Sequence, residues 1–431
     1  MAISARALAL AGAGIIPVAL RPAASTVLWW ALACLVVVGI DFFLAPRPAT
    51  LTITRQVQPS TVRLGGAAST TLAVFNTGSR PVRVAVRDVW QPTARIEPET
   101  SVLSIPPGER RRTLGELSPV RRGKRRAQAV ALRVAGPLRL AYRTQTRQVE
   151  GSLLVLPPFH ARQHLPSRLA RLREMDGQSS VNIRGQGTEF DSLREYVVGD
   201  DVRAIDWRAT ARAQDVMVRT WRPERDRRVV VIIDTGRLAA VRLGNEMRLD
   251  ASIEATLLLA ALSAHAGDRI DVLALDTQVR AHVRSNSATT IMHQLAVALA
   301  DVEPNLGETD WSLAAALVRR TVSQRSLVVV VTALDAAVIS GAMRQAIGAL
   351  ATQHTVVVAG AVDTELAELA ADREELSQVY IAAAAERSLL SGQEAIASLS
   401  RAGAFVVQAP ASELPPRLAD MYLQLKATGK L

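Results

Sequence analysis

At 431 residues and 49% apolar content, the chain is too long for a single compact domain and too apolar for global disorder. Its net charge is +11, but Lys occurs only at 124, 426 and 430, so the other 48 of its 51 basic residues are Arg, scattered among only 4% aromatics. That scatter argues against a nucleic-acid-binding face, which needs clustered cations and interleaved aromatics, and the lone Cys34 excludes an intramolecular disulfide or a Cys-based metal cluster.

Residues 1–46 read as a membrane anchor. The run 23–44, AASTVLWWALACLVVVGIDFFL, reaches about 33 Å as a helix, enough for a bilayer core of about 30 Å. Trp29 and Trp30 suit one interface; Asp41, Phe42, Phe43 and Arg47 suit the other. An upstream apolar run, 7–20, is shorter and carries Pro17. With Arg21 and Pro22 in a turn it completes a helical hairpin, and a single span is the alternative. Arg47, Arg55 and Arg63 follow the second run, which by the positive-inside rule predicts a cytoplasmic body at the inner (plasma) membrane, and hence the hairpin.

Residues 50–156 show period-two alternation in place of a helical period. The runs 51–54, 70–75, 82–86, 129–134 and 153–156 are separated by Gly65-Gly66, Asn76-Thr77-Gly78, Pro106-Pro107-Gly108 and Gly136-Pro137. This spacing predicts an all-β sandwich. Two Arg clusters, 110–112 and 121–126, fall at predicted strand edges and turns. Solvated charge guarding sheet edges is the expected reading, and contact with an anionic surface the alternative.

Residues 157–226 form a signature and linker segment. Asp191, Asp200, Asp201 and Asp206 alternate there with Arg194, Arg203, Arg208 and Arg212. Opposite charges at this spacing predict an ion-pair network, with Trp207 and Trp221 packed beneath it. A metal-dependent hydrolase built on the four aspartates is the competing reading. From 227 to 431 strands and helices alternate. Strands are predicted at 228–234, 269–275, 279–283, 327–332, 355–361 and 404–407, and helices at 246–266, 290–300, 312–321, 338–351 and 415–425. Continuous Val/Ile runs between amphipathic helices mean a doubly wound, mostly parallel, Rossmann-like α/β sheet covered on both faces.

That layout resembles a von Willebrand factor A domain. The stretch before it resembles the signature of domain-of-unknown-function family 58: Arg194 and Tyr196 ahead of Gly199-Asp200-Asp201, then Arg203, Ile205-Asp206-Trp207 and Ala211-Arg212. Upstream, Arg121-Arg122-Gly123-Lys124-Arg125 followed by Gly136-Pro137-Leu138-Arg139-Leu140 is similar to the family's basic strand and Pro-x-Gly-Leu turn, with Arg139 where Gly is usual. A domains of this kind hold Mg²⁺ in a metal-ion-dependent adhesion site of Asp-x-Ser-x-Ser, a Thr and a further Asp. Here Asp234 and Thr309 match, Gly236 and Leu238 replace the serines, and Ala333 stands where the last Asp is usual. Thr235, Asp310 and Asp335 are the available substitutes, and Arg237 is placed to fill the cation position. The expectation is a degenerate site (Asp234, Thr309, Asp335) with no cofactor. No P-loop, His-Glu-x-x-His or Gly-x-Ser-x-Gly pattern is present, and His160 and His164 read as surface residues.

The resemblance implies a multidomain, non-enzymatic, membrane-anchored scaffold. Its partner would be a MoxR-type AAA+ ATPase, in chaperone-like assembly or envelope processes. Arg194, Tyr196, Gly199, Asp200, Asp201, Arg203, Asp206, Trp207 and Arg212 are the expected docking residues, and no nucleic acid is expected.

Overall fold

The computed structural model describes residues 2–182, 189–198, 200–213, 215–222, 227–244, 246–285, 288–336, 338–339, 341–372 and 376–431. These form two compact units, Met1–Leu156 and Pro157–Leu431.

The first unit begins with an apolar helical hairpin. Its second arm, Ala24–Leu44, is one helix of 21 residues, about 31 Å long. Its first arm is broken into Ala5–Gly12 and Ile15–Leu20, not continuous over 7–20 as the sequence suggested. The break admits the partner arm: the Trp30 indole occupies the space a side chain at Gly14 would need, and its Nε1 donates to the Ala11 carbonyl at 3.3 Å. Leu28, Trp29, Leu32 and Leu35 face outward, uncovered by the chain.

Two sheets follow. Strand Leu51–Gln58 pairs with Ala68–Asn76, which pairs with Arg110–Leu117 and through it with Ile96–Glu97. In the other sheet Gly123–Ala135 is central, flanked by Ala141–Arg147, Val82–Trp90 and Ser152–Leu156. Alternate residues point to opposite faces, so Leu72 and Val74 meet Val84, Val86, Val130 and Leu132 in the core. The strand Arg110–Leu117 escaped the sequence reading because its first three residues are exposed arginines. The basic run 121–126 is only partly the solvated charge expected from its sequence: Arg121, Lys124 and Arg126 are exposed. Lys124 to Arg126 lie on the central strand, Arg122 is buried, and Arg125 donates to Thr93 Oγ1 and to the Arg122 carbonyl. Arg55, counted above as juxtamembrane charge, is buried as well, paired to Asp88 beside the Trp90 ring.

The second unit is built on a six-stranded sheet. In chain order the strands are Arg228–Asp234, Arg269–Leu275, Val279–Ser285, Leu327–Val331, Thr355–Val362 and Phe405–Pro410, and in space they lie 3-2-1-4-5-6. All pairings are parallel except that between the second and third. This is the doubly wound order, with its switch point between the first and fourth strands. Val229, Val231 and Ile233 face the helices Arg248–His265 and Leu414–Ala427; Val230 and Ile232 face Trp311–Thr321 and Gly341–Ala351.

Two helical segments extend the sequence reading. His160–His164 and Leu165–Asn182, taken as part of a linker, set Ala161 and Leu172 into the core of this unit. Leu376–Arg401 is its longest helix, and it lacks a sustained apolar period because an Ala run and a Ser-Gly-Gln stretch interrupt it. The helix Leu414–Ala427 is fastened from below. Tyr422 donates to Asp268, and Lys426 Nζ reaches both Asp268 oxygens at 3.0 and 3.2 Å, all buried. Burial, with the Asp268 carboxylate alongside, holds the Tyr422 hydroxyl protonated well above its ordinary range.

Candidate partner-docking site

The switch point of the sheet places Asp234 at the carboxyl end of the first strand, where open α/β folds bind ligands. Its carboxylate is buried and engaged by its neighbours. Oδ1 accepts from Thr309 Oγ1 and from the Gly236 amide at 2.8 Å, and Oδ2 accepts from Thr332 Oγ1 at 2.5 Å. Asp234 and Thr309 therefore meet as the sequence suggested, but Asp335 does not join them. It pairs with Arg248 Nη1 at 2.8 Å, and the third neighbour of Asp234 is Thr332. Thr332 lies just past the end of a strand, at a position that matches no expected ligand, so its sequence gives no signal of this contact.

The other substitutes are also engaged. Thr235 donates to Asp276 at 3.2 Å, and Asp310 caps the helix Trp311–Thr321 through the amides of Ser312 and Leu313. Arg237 turns toward Glu308 at 3.5 Å and does not pair with Asp234. Burial pushes the Asp276 carboxyl up, but hydrogen bonds from Arg280, the Gln278 amide and Thr235 outweigh it and hold it below the usual range. At the first serine position, a Cβ on Gly236 would sit 2.6 Å from Thr309 Oγ1. The side-chain oxygens described at this crest are one carboxylate and two hydroxyls bonded to it, so water would have to complete most of an octahedral Mg²⁺ shell.

The signature residues lie on a two-stranded antiparallel hairpin, Glu189–Glu195 against Met217–Arg222, and on the loop between. Each carboxylate with a described side chain serves its own turn. Asp200 accepts from Arg194 Nη2 at 2.6 Å and from the Val197 amide at 3.0 Å. Asp201 accepts from the Arg203 amide at 2.9 Å. Asp206 accepts from the amides of Arg208 and Ala209 at 2.9 and 3.0 Å, capping the helix Trp207–Ala213. Its second oxygen takes Arg219 Nε at 2.8 Å. These amides and Arg219 hold the Asp206 carboxyl below its usual range, and the bond to Asp200 raises Arg194 further. The Asp206 amide donates to the Met217 carbonyl at 2.9 Å and the Tyr196 amide to the Val216 carbonyl at 2.7 Å, which folds the loop onto the hairpin.

Among the described residues, the expected network consists of the pairs Arg194–Asp200 and Arg219–Asp206 with the turn and helix caps around them. Trp207 is not packed beneath them, as the sequence suggested; it is 70% exposed. Val197, Val198 and Val202 are exposed in the same loop, Val198 at 94%, and Arg203, Arg208 and Arg212 are exposed with them. Gly199 and the side chains of Asp191 and Trp221 lie outside the described residues.

A separate cavity of about 470 Å³ is lined by His160, His164, Glu246 and Glu254. Glu254 accepts from the Ala161 amide at 2.6 Å, and burial, reinforced by Glu254, raises the Glu246 carboxyl. The two histidines thus line a concavity, although their i, i+4 spacing alone read as surface.

Against known proteins, a family described as "Protein of unknown function DUF58" matches residues 192–383. The resemblance carried by residues 194–212 holds over that segment. The chain is 24% identical over 119 residues to the uncharacterized protein YeaD of Bacillus subtilis (strain 168), covering 28% of this chain and 30% of that one. It thus spans less than a third of that relative's length. Among solved structures, the conserved hypothetical protein BatB of Bacteroides thetaiotaomicron is 12% identical, covering 47% of this chain and 99% of that one with a TM-score of 0.32. The SpRpn10 VWA domain is 14% identical, covering 46% and 94% with a TM-score of 0.28.

Proposed function

We propose that this chain, matching DUF58 over residues 192–383, is a non-enzymatic, membrane-anchored scaffold that docks a MoxR-type AAA+ ATPase through its 194–212 signature, in chaperone-like assembly or envelope processes. The observation that carries the reading is Trp207, an indole left 70% in water on a backbone fixed by the Asp206 cap and Arg219. A large aromatic held rigidly before binding loses little entropy on docking, and Trp and Arg dominate interface energetics. Val198 and Val202 widen the apolar contact, and Arg203, Arg208 and Arg212 supply a basic rim that steers an acidic partner surface. The bonds that tie Asp200, Asp201 and Asp206 into their own turns support a docking role for these three carboxylates over a hydrolytic one.

On the same reading the crest at Asp234 works without a metal, as a hydrogen-bonded closure of the sheet. The hairpin ending at Leu44 anchors the chain in the inner membrane with the body cytoplasmic. The test is co-purification of a MoxR-type ATPase from detergent-solubilised membranes. Wild-type chain retains it and Trp207→Ala loses it with an unchanged melting temperature. Retention by the variant, or no such ATPase on the wild-type chain, would overturn the proposal.

A further inference from the structure

The apolar hairpin is fastened to the β unit at the turn 136–140 and the strand after it. Asp41, in the last turn of the helix Ala24–Leu44, is fully buried. Its Oδ1 accepts from the Leu138 amide at 2.7 Å, and its Oδ2 accepts from the amides of Leu140 and Ala141 at 2.7 and 2.9 Å. A carboxylate near a helix C-terminus opposes the helix dipole, and these three N–H groups compensate it. Gly136 permits the approach, because a side chain there would collide with Asp41. Arg143 closes the seam from the other side: its Nε donates to the Phe42 carbonyl at 3.1 Å and its guanidinium lies 4.7 Å from the Phe42 ring centre. The start of the hairpin arrives at the same turn. Ala2 and Ile3 pair with Tyr142 and Ala141, and the Ser4 amide donates to the Leu140 carbonyl at 2.9 Å.

This seam fixes a depth. Phe43 and Leu44 are exposed apolar residues at the end of the long helix, and Arg47 is exposed three residues on. If that helix spans a bilayer, Asp41 to Arg47 mark where hydrocarbon gives way to headgroups. The turn 136–140, hydrogen-bonded to Asp41, must lie at the same level. It presents Leu138, 54% exposed, and Arg139, a non-glycine residue held at φ +60°. That left-handed conformation is costly for a side chain with a Cβ, and such an outlier points toward function. Arg6, also exposed, begins the other arm.

We propose that the turn 136–140 is a built-in contact with an anionic lipid leaflet, in which Leu138 enters the interfacial layer, Arg139, Arg6 and Arg47 meet lipid phosphates, and Asp41 sets the depth. The inference rests on reading the hairpin as a membrane anchor. The occupant follows from continuity: the same turn is bonded to both ends of the apolar hairpin, and the charges beside it, half-buried Arg139 and exposed Arg6 and Arg47, are cationic.

The test uses the full chain with Cys34→Ser and a single fluorophore on Leu138→Cys, reconstituted in vesicles of phosphatidylcholine with increasing phosphatidylglycerol and a headgroup-located quencher. A label on Ala67→Cys, near the opposite end of an eight-residue strand and about 25 Å away, is the control. The expected result is strong quenching at 138 and little at 67, rising with phosphatidylglycerol. Arg139→Gln should raise the phosphatidylglycerol needed for half the change about fivefold, the weight of one arginine at an anionic surface. Asp41→Asn should weaken quenching at 138 while the chain stays in the membrane. Equal quenching at 138 and 67, or indifference to lipid charge, overturns the inference while leaving the anchor intact. Extraction of the chain from membranes by alkaline carbonate would instead remove the anchor reading, and this inference with it.

Discussion

The crest of the α/β sheet and the signature hairpin beside it in sequence both carry aspartates held by several hydrogen bonds, yet they leave different things in solvent. At the crest, Asp234 sits under Thr309, Thr332 and the Gly236 amide, and the bonding closes inward. On the hairpin, Asp200 and Asp206 bond inward too, but the loop they brace displays Trp207 and Val198. The same chemistry therefore serves two ends. In one place it seals a strand terminus, and in the other it stiffens a platform from which apolar side chains project. A count of carboxylates in the sequence could not separate these cases, because the difference lies in what the bonded frame leaves uncovered.

The largest expected effect separates the two regions directly. Trp207→Ala should weaken ATPase binding by roughly 100-fold, in the range of an interface hot spot of about 2–4 kcal/mol, and leave the melting temperature within about 1 °C of wild type. Calorimetric titration against the purified ATPase and a thermal melt check both halves. Asp234→Ala should do the reverse. It strands one buried hydroxyl, one half-buried hydroxyl and an amide, so a cost of about 1–3 kcal/mol is expected, about 2–4 °C of melting temperature for each kcal/mol in a unit of this size, with ATPase binding within about twofold. If Asp234→Ala abolished binding and spared stability, the contrast between the regions would collapse.

A smaller effect sharpens the role of the frame. Arg219→Ala removes the guanidinium on Asp206 but leaves the helix cap, and should weaken docking about three- to tenfold, equivalent to about 0.7–1.4 kcal/mol. The pH dependence carries a definite sign. Asp206 has its folded pKa depressed, chiefly by the Ala209 amide and then by Arg219. Its contribution is therefore fully present above the unfolded carboxylate value of about 3.9 and is lost as pH falls through the lower folded value. Docking should hold at pH 5 and fail only below about pH 4, and binding isotherms across pH 3–6 measure this. The smallest effect is expected from divalent cations at the crest. Millimolar Mg²⁺ or Mn²⁺ should leave the melting temperature unchanged, whereas a shift growing with cation concentration, and absent from Asp234→Ala, would reveal a bound ion.

Much of the architecture was legible in the residues. The Val/Ile runs beginning at 228, 327 and 355 announced buried parallel strands, and the alternation at 70–75 and 82–86 announced a sandwich, because period two and continuous apolarity follow directly from which faces are covered. Strands and helices without such a pattern were missed. Arg110–Leu117 hides behind exposed arginines, and Leu376–Arg401 behind small residues that bury little. The site was half legible. The local pattern around Asp206 marked the signature, but the exposure of Trp207 depends on which loop folds over which strand. Likewise Asp335 matched by type, but Arg248, far from it in sequence and buried, claims its carboxylate.

The cluster of Tyr422 and Lys426 on Asp268 bears on the timing of synthesis. Asp268 follows the helix Arg248–His265, whereas Tyr422 and Lys426, which bond to it, lie more than 150 residues later. Until Lys426 has left the ribosome, the helix Leu414–Ala427 cannot pack over Asp268, and the apolar face it covers stays open. The α/β unit is thus expected to complete itself only after Lys426 has been synthesised.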